Sequence, residues 1–250
     1  MSDTLVINEI YLSLQGESTF AGWPCIFIRL TGCDLRCSYC DTAYAFSRGH
    51  RKSLAQVRAE VRRLAGPFHE ARRPQAGRGG GLLPLVELTG GEPLLQGNSL
   101  PLMRALCDDG FTVLLETNGA HDISPVDPRV RRIMDLKCPS SGEAARNRWE
   151  NLRHLRSTDE IKFVIATRED YRWAKECIAR HKLAAICPLL FSWAHPLAPS
   201  QQHISLNKPP PAQTPISRKD LAEKIIADRL PVRFQIQLHK VIWAPEARGV

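Results

Sequence analysis

No apolar run in this chain of 250 residues approaches the length of a membrane-spanning helix, which argues against a membrane-embedded enzyme. The first nine residues, Met1 to Glu9, lack the basic-then-apolar profile of a secretory leader. Eight cysteines without such a leader point to reduced thiols in a cytoplasmic protein rather than to a disulfide framework. A second close group of cysteines is missing as well. Cys25, Cys107, Cys138, Cys177 and Cys187 are scattered singly, so a four-cysteine zinc site has no matching half. No internal repeat is visible.

What is present suits one domain with loop insertions near 66–84 and 193–217. Hydrophobic residues make up 43% and charged residues 24%, ordinary for a globular chain. The net charge of +8 is local: between Arg48 and Arg78 nine Lys/Arg face two acids. Arg58, Arg62 and Arg63 fall on one face of an expected helix, with Leu54, Val57, Val61 and Leu64 on the other. Aromatic stacking residues are not interleaved through that stretch, so it reads as a solvated helix and loop rather than a nucleic-acid patch.

Strand-like runs are expected at 5–10, 25–30, 85–89, 111–115, 130–136, 160–166, 184–191 and 232–238. Helices are expected from Ser53 to about Ala65, at 99–109 and 169–181, and from Ser217 to about Asp228. The segment 66–84 reads as an exposed Pro/Gly/Arg-rich loop, and 193–217, with six prolines, as an irregular crossing. Strands that alternate with helices and end in polar or Gly-rich turns predict an α/β fold with a parallel sheet. Helical periodicity is weak between Glu116 and Glu160, so the expected form is an open, partial (β/α) barrel of about six parallel strands. Its site would lie at the C-terminal strand ends.

The stretch that organises this layout is the loop after the 25–30 run. Cys33, Cys37 and Cys40 stand there in C-x3-C-x2-C spacing. Three thiolates so close together repel unless a cation holds them, so a metal centre is the natural reading. Zinc would want a fourth protein ligand, whereas a [4Fe–4S] cubane held by three cysteines leaves one iron open. Reduced core thiols and a zinc knuckle stay as the plain alternatives. Arg29, inside an apolar run, must be paired or must reach an anion, because burying its charge alone is too costly. Thr89-Gly90-Gly91-Glu92-Pro93 ends a strand with glycines that permit close backbone approach and an acid that can satisfy a cation.

The cysteine loop, with Tyr39 just before its third cysteine, resembles the signature of the radical S-adenosylmethionine (SAM) superfamily, and the GGEP string strengthens the resemblance. The chain is also similar to one branch, the 7-carboxy-7-deazaguanine synthase family. That likeness rests on Leu14-Gln15-Gly16-Glu17, Arg29, residues 33–42 and 89–93, Lys137 to Gly142, and Gln237-Leu238-His239 with Trp243. The resemblance implies a radical SAM-type partial barrel. It implies a [4Fe–4S] cluster on Cys33, Cys37 and Cys40, with SAM chelated at the open iron.

By the same resemblance Tyr39, Asp41, Gly91, Glu92, Asp135, Leu136, Lys137 and Ser192 surround SAM, and Thr42 ligates Mg2+. Leu14, Gln15, Gly16, Glu17, Arg29, Thr89, His239 and the α-carboxylate of Val250, beside Glu17, surround substrate. No side chain is expected to be catalytic. The implied reaction is lyase chemistry of 7-deazapurine and queuosine biosynthesis. A SAM-derived radical abstracts hydrogen from 6-carboxy-5,6,7,8-tetrahydropterin, the ring contracts to 7-carboxy-7-deazaguanine, and ammonia leaves. The implied partners are an electron donor such as flavodoxin and a second copy in a homodimer, without membrane or nucleic acid. The same cysteine spacing would serve a glycyl-radical-enzyme activase, which acts on a protein loop. From a different class, a zinc-dependent nucleic-acid-binding module would use the basic 48–78 stretch.

Overall fold

The computed structural model describes residues 3–70 and 82–250. The basic stretch and the expected 66–84 loop therefore lie partly outside the described residues. Among the described residues nine strands form one sheet: β1 (Thr4–Leu14), β2 (Pro24–Leu30), β3 (His50–Ser53), β4 (Leu82–Gly90), β5 (Phe111–Thr117), β6 (Arg131–Asp135), β7 (Glu160–Ile165), β8 (Leu189–Trp193) and β9 (Arg233–Gln235). Their order is β3-β1-β2-β4-β5-β6-β7-β8-β9. From β2 through β9 all neighbours are parallel, whereas β1 runs antiparallel to β2 and β3 antiparallel to β1. The sheet is mostly parallel and does not close. It has seven parallel strands rather than about six, and it carries an antiparallel arm that the sequence reading did not foresee.

The helices lie on one face of this sheet. α1 (Leu54–Glu70), α2 (Ser99–Asp108), α3 (Arg168–His181) and α4 (Arg218–Ala227) each follow a strand. α1 continues past the expected Ala65 through Gly66 and Pro67 to Glu70, and Val57, Val61 and Ala65 bury the apolar stripe of its first three turns. Thr167 and Asp170 form a reciprocal capping box that starts α3, and Ser217 accepts from the Asp220 N–H to start α4. The crossovers β5–β6 and β6–β7 carry no α-helix. The second is built from 3-10 turns at Pro139–Ser141, Ala144–Arg146 and Trp149–His154. Weak periodicity in that interval therefore has a structural counterpart.

Three strand boundaries differ from expectation, and the first is β1, which runs on to Leu14 rather than ending at Ile10. Residues 184–188 precede β8, with Leu183–Ala185 in a 3-10 turn. The 232–238 run yields only three strand residues. The Leu238 N–H donates to the Gly16 carbonyl (2.9 Å), which leaves the sheet ladder and starts a short helix, α5 (His239–Ile242).

Period-two alternation sorts each strand between two environments. Ile26, Ile28, Leu30, Val86, Leu88, Val113 and Leu115 face the helices and join the main core. Cys25, Phe27, Leu85, Leu114 and Ile133 face inward and form a small apolar floor with Tyr11 and Phe20. Further along, the inward positions turn polar: Arg29 on β2, Glu87 and Thr89 on β4, Glu116 on β5, Asp135 on β6 and Lys162 on β7. That change of polarity marks where the barrel stops being core and becomes a site.

Candidate active site

A cavity of about 810 Å³ occupies the polar half of the barrel and opens among the loops at the strand ends. It is lined by every residue expected from the sequence except Glu92 and Leu136. Segments distant in sequence close the gap between the sheet edges. Besides the Leu238–Gly16 bond, Gln201 Nε2 donates to the Pro245 carbonyl (3.1 Å), and the Arg248 guanidinium stacks 4.0 Å over the Tyr44 ring.

The cysteine loop leaves β2 and is held on three sides. Gly32 N–H donates to the Ala45 carbonyl (2.9 Å), Glu92 N–H to the Gly32 carbonyl (2.8 Å), and Ser38 N–H to the Ser141 carbonyl (3.0 Å). The last bond, with Ser38 Oγ to the Ser140 carbonyl (2.6 Å), shows what the Lys137–Gly142 string does: it buttresses the cysteines. The two glycines before Glu92 are required by packing. Gly90 has φ +122, and a Cβ there would lie 2.4 Å from the Leu30 backbone. A Cβ on Gly91 would lie 1.8 Å from the Gly32 carbonyl oxygen.

Burial raises all three thiols, Cys37 to about 11 and Cys40 to about 12. Thiolates at this spot therefore need positive charge, which a metal cluster supplies and the nearby Lys137 ammonium assists. Leu35 N–H points at the Cys33 sulfur (3.4 Å). Among the described residues no three His, Cys, Asp or Glu side chains converge as a single metal ion would require. A cubane is several atoms across, so its sulfurs stand apart around it. On the same wall Tyr39 OH and Asp135 Oδ1 are buried without a hydrogen-bond partner, polar atoms placed for a bound molecule. Asp135 Oδ2 pairs with Lys137 Nζ at 2.7 Å. The donor set fits a three-cysteine [4Fe–4S] cluster with SAM beside it.

Glu92 has a different position from the one expected. Its carboxylate is fully buried and accepts from Leu94 N–H (2.9 Å), Thr117 Oγ1 (2.9 Å) and Asn118 N–H (2.7 Å). It ties the end of β4 to the end of β5 and is not among the residues that line the cavity. Leu136 is likewise turned into the main core. Gly91 does reach the cavity.

Arg29 resolves its either/or in favour of an internal partner. Nε meets Glu9 Oε1 at 2.7 Å, Nη2 donates to Tyr11 OH (2.9 Å), and the guanidinium sits between the Tyr11 and Tyr44 rings. It also lines the cavity, and Glu9 balances its charge. Glu17 is also engaged. Oε2 meets Lys162 Nζ at 3.2 Å and Oε1 accepts from Ser192 Oγ at 2.9 Å. Lys162 pairs in turn with Glu116, which accepts from Thr89 Oγ1 (3.0 Å). Ser192, expected near SAM, thus hydrogen-bonds a residue expected near substrate. Leu14 and Gly16 sit at the mouth of the same loop, and a Cβ on Gly16 would lie 2.3 Å from His239 Nδ1.

Asp41 is drawn toward the C-terminal segment. Oδ2 pairs with Lys240 Nζ and accepts from Gln237 Nε2 (3.2 Å), and Oδ1 accepts from Thr42 Oγ1 (2.8 Å). The Lys240 ammonium holds the Asp41 carboxyl well below the usual carboxylate range despite burial. His239, on the adjacent position, has its pKa lowered by burial. Val250 and Glu17 line the same cavity.

The Asp41–Lys240 pair fastens the segment that closes the barrel to the residue following Cys40. Removing one member of a buried pair costs about 3–5 kcal/mol, less here because Asp41 is a quarter exposed. In Lys240→Ala, amide exchange across 236–250 should accelerate at least tenfold while iron content stays at the parental level. Unchanged exchange would mean that the segment is held by other contacts.

The sequence reading missed Glu9, Glu87, Glu116, Lys162 and Lys240 as site residues. The signal for three of them was available. Glu87, Glu116 and Lys162 are charges inside apolar strands, the same anomaly that singled out Arg29.

Comparison with known proteins agrees with this geometry. The profile of the radical SAM superfamily matches residues 27–140. A curated 7-carboxy-7-deazaguanine synthase from Koribacter versatilis (strain Ellin345) is 42% identical over 246 residues, 98% of this chain and 99% of that protein. Another, from Chlorobaculum tepidum, is 41% identical over 249 residues, 98% of this chain and 97% of that protein. Among solved structures, QueE from Escherichia coli superposes with a TM-score of 0.65 at 22% identity, over 94% of this chain and 95% of that chain. At that identity the superposition shows the shared fold.

Proposed function

Since the chain belongs to the 7-carboxy-7-deazaguanine synthase family of radical SAM enzymes, we propose that it converts 6-carboxy-5,6,7,8-tetrahydropterin to 7-carboxy-7-deazaguanine with release of ammonia. The observation that carries this reading is the single cavity that joins the three-cysteine loop to the polar inner face of the barrel. Cys33, Cys37 and Cys40 would hold the [4Fe–4S] cluster, and Tyr39, Gly91, Asp135 and Lys137 would line the SAM site. When bound, the cluster and SAM supply a hydrogen-abstracting 5'-deoxyadenosyl radical.

The chain's own residues bind, orient and shield. The apolar floor of Phe27, Leu114 and Ile133 closes the barrel below the substrate, and the C-terminal segment closes its open side, both of which exclude water. Gln15, Glu17, Thr89 and Glu116 offer the polar edge that a pterin requires. The mixed charges, with Glu17 and Glu116 balanced by Lys162, suit a ring with both donors and acceptors better than they suit a purely anionic ligand. Thr42 is the proposed Mg2+ ligand. Its hydroxyl proton is used on Asp41, which leaves oxygen lone pairs for a cation that prefers oxygen.

One domain, a cytoplasmic location, a homodimer and reduction by a donor such as flavodoxin complete the reading. No helix among the described residues is long and apolar enough to cross a membrane.

Anaerobic reconstitution followed by turnover of the carboxytetrahydropterin, read by mass spectrometry, tests it. The expected result is a brown protein that forms the deazapurine and one equivalent of ammonia. A brown protein that cleaves SAM but leaves the pterin untouched and radicalises a protein glycine would replace this reading with the activase. A colourless zinc protein would replace it with the nucleic-acid-binding module.

A further inference from the structure

Glu87 sits at the middle of β4 on the inward face. It is 2% exposed and lines the cavity. Its register neighbours, Phe27 on β2 and Leu114 on β5, are apolar. Lys162, the cation on this wall, is already engaged by Glu17 and Glu116. A carboxyl group in such a slot is costly, since a buried polar group without a full set of partners loses its hydration uncompensated, and a valine would fill the strand position without that cost. Glu87 must therefore have a use that the fold does not supply.

Its one bond shows the direction of that use. Gln15 Nε2 donates to Glu87 Oε2, while Gln15 Oε1 accepts from the Glu17 backbone N–H at 3.0 Å. A backbone N–H can only donate, so the amide oxygen must face it and the amide nitrogen must face Glu87. Gln15 is thereby fixed in one of its two flips, with its second N–H free of both partners. Glu87 Oε1 has no hydrogen-bond partner among the described residues and belongs to a cavity-lining side chain. Burial and the neighbouring Glu116 carboxylate raise Glu87 well above the usual carboxylate range, which favours the protonated form that can donate.

We propose that Glu87 is a substrate-positioning residue: it locks the Gln15 amide, and the Glu87–Gln15 pair shows two hydrogen-bond donors to acceptor atoms of the bound heterocycle. The proposal rests on the pterin reading above and adds a specificity element to the same cavity. A ring that carries a carbonyl or imine acceptor at this edge is recognised. A ring that presents a donor there meets two donors and is rejected.

The test uses reconstituted holoenzyme and four variants, Glu87→Ala, Glu87→Val, Glu87→Gln and Gln15→Ala, with the double variant Gln15→Ala/Glu87→Ala. Glu87→Ala and Glu87→Val should raise the KM for the carboxytetrahydropterin about tenfold or more, with a smaller change in kcat. Iron content and substrate-free SAM cleavage should follow the parent. Glu87→Gln, which can accept from Gln15 and donate an amide N–H in place of the acid proton, should recover most of the lost affinity. The double variant should lose less in KM than the sum of the two single losses, because part of the Glu87 effect runs through Gln15.

Parental KM in Glu87→Val would overturn the proposal, as would Glu87→Gln being as impaired as Glu87→Ala, or fully additive KM losses in the double variant. Glu87→Val keeps an apolar β-branched residue in the strand, so it reports on binding even if Glu87→Ala folds poorly. A parent enzyme that does not turn over the pterin would overturn the pterin reading and this proposal together. A parent that does, alongside Glu87 variants with parental KM, would overturn this proposal alone.

Discussion

Cys37→Ala protein should purify without its iron–sulfur absorbance and should cleave no SAM, even after anaerobic reconstitution. Cys37 is the middle ligand of the loop and is 8% exposed. Cys33 and Cys40 are the other two ligands, and no further described cysteine lies in that loop to replace it, since Cys138 and Cys25 are buried elsewhere in the interior. Two cysteines cannot neutralise and hold a cubane that already leaves one iron without a protein ligand. The loop itself should stay in place, since Gly32, Ser38 and Glu92 hold it by backbone bonds that do not involve the sulfur. The expected signature is therefore a folded, colourless, inert protein. Substitution of Cys107, Cys177 or Cys187 should leave colour and cleavage intact. Full iron content in Cys37→Ala would refute the ligand assignment.

The second large effect is expected from Lys162→Met. Lys162 is 6% exposed and stands between Glu17 and Glu116, with Glu87 also within electrostatic reach. The Lys162 ammonium is what holds Glu116 below the usual carboxylate range against its burial. Methionine keeps the length of the side chain and removes the charge. Two carboxylates then face one another in the barrel without a cation, at a cost of about 3–5 kcal/mol for a broken buried pair. Urea denaturation of the anaerobic holoprotein should show a loss of that order at pH 7.

The sign of the pH dependence follows from Glu116. Its folded pKa is lowered, so the stability it contributes is present above its unfolded pKa and is lost as pH falls through the folded one. The deficit of Lys162→Met should therefore shrink in acid, as Glu116 takes up its proton. Turnover should fall with stability, because the polar edge facing the substrate is rearranged. Parental stability in this variant would show that Lys162 is not the cation that balances the barrel interior.

The chemistry of the cysteine loop could be read without coordinates because it is local: three cysteines within eight residues constrain one another wherever the loop lies. The strand and helix pattern was legible for the same reason, since period-two and 3.6-residue alternation are properties of neighbours in sequence. β1, β8 and β9 were misjudged where a distant partner decided. β1 extends to Leu14 by pairing with β2, and the run after Gln235 leaves the sheet because Gly16 takes the Leu238 N–H.

Which charge meets which was fixed only by tertiary structure. The sequence shows that Arg29 needs a partner but not that the partner is Glu9, twenty residues earlier and across an antiparallel pair. It shows an acid in GGEP but not that Glu92 turns inward to tie β4 to β5. Asp41 and Lys240 lie at opposite ends of the chain and meet because an open barrel has a gap that the last segment must fill. Electrostatic pairing depends on distance in space, and the sequence alone fixes distance only along the chain. The sequence by itself therefore determined the cluster loop, the fold class and the family, and the folded chain decided how its buried charges are balanced.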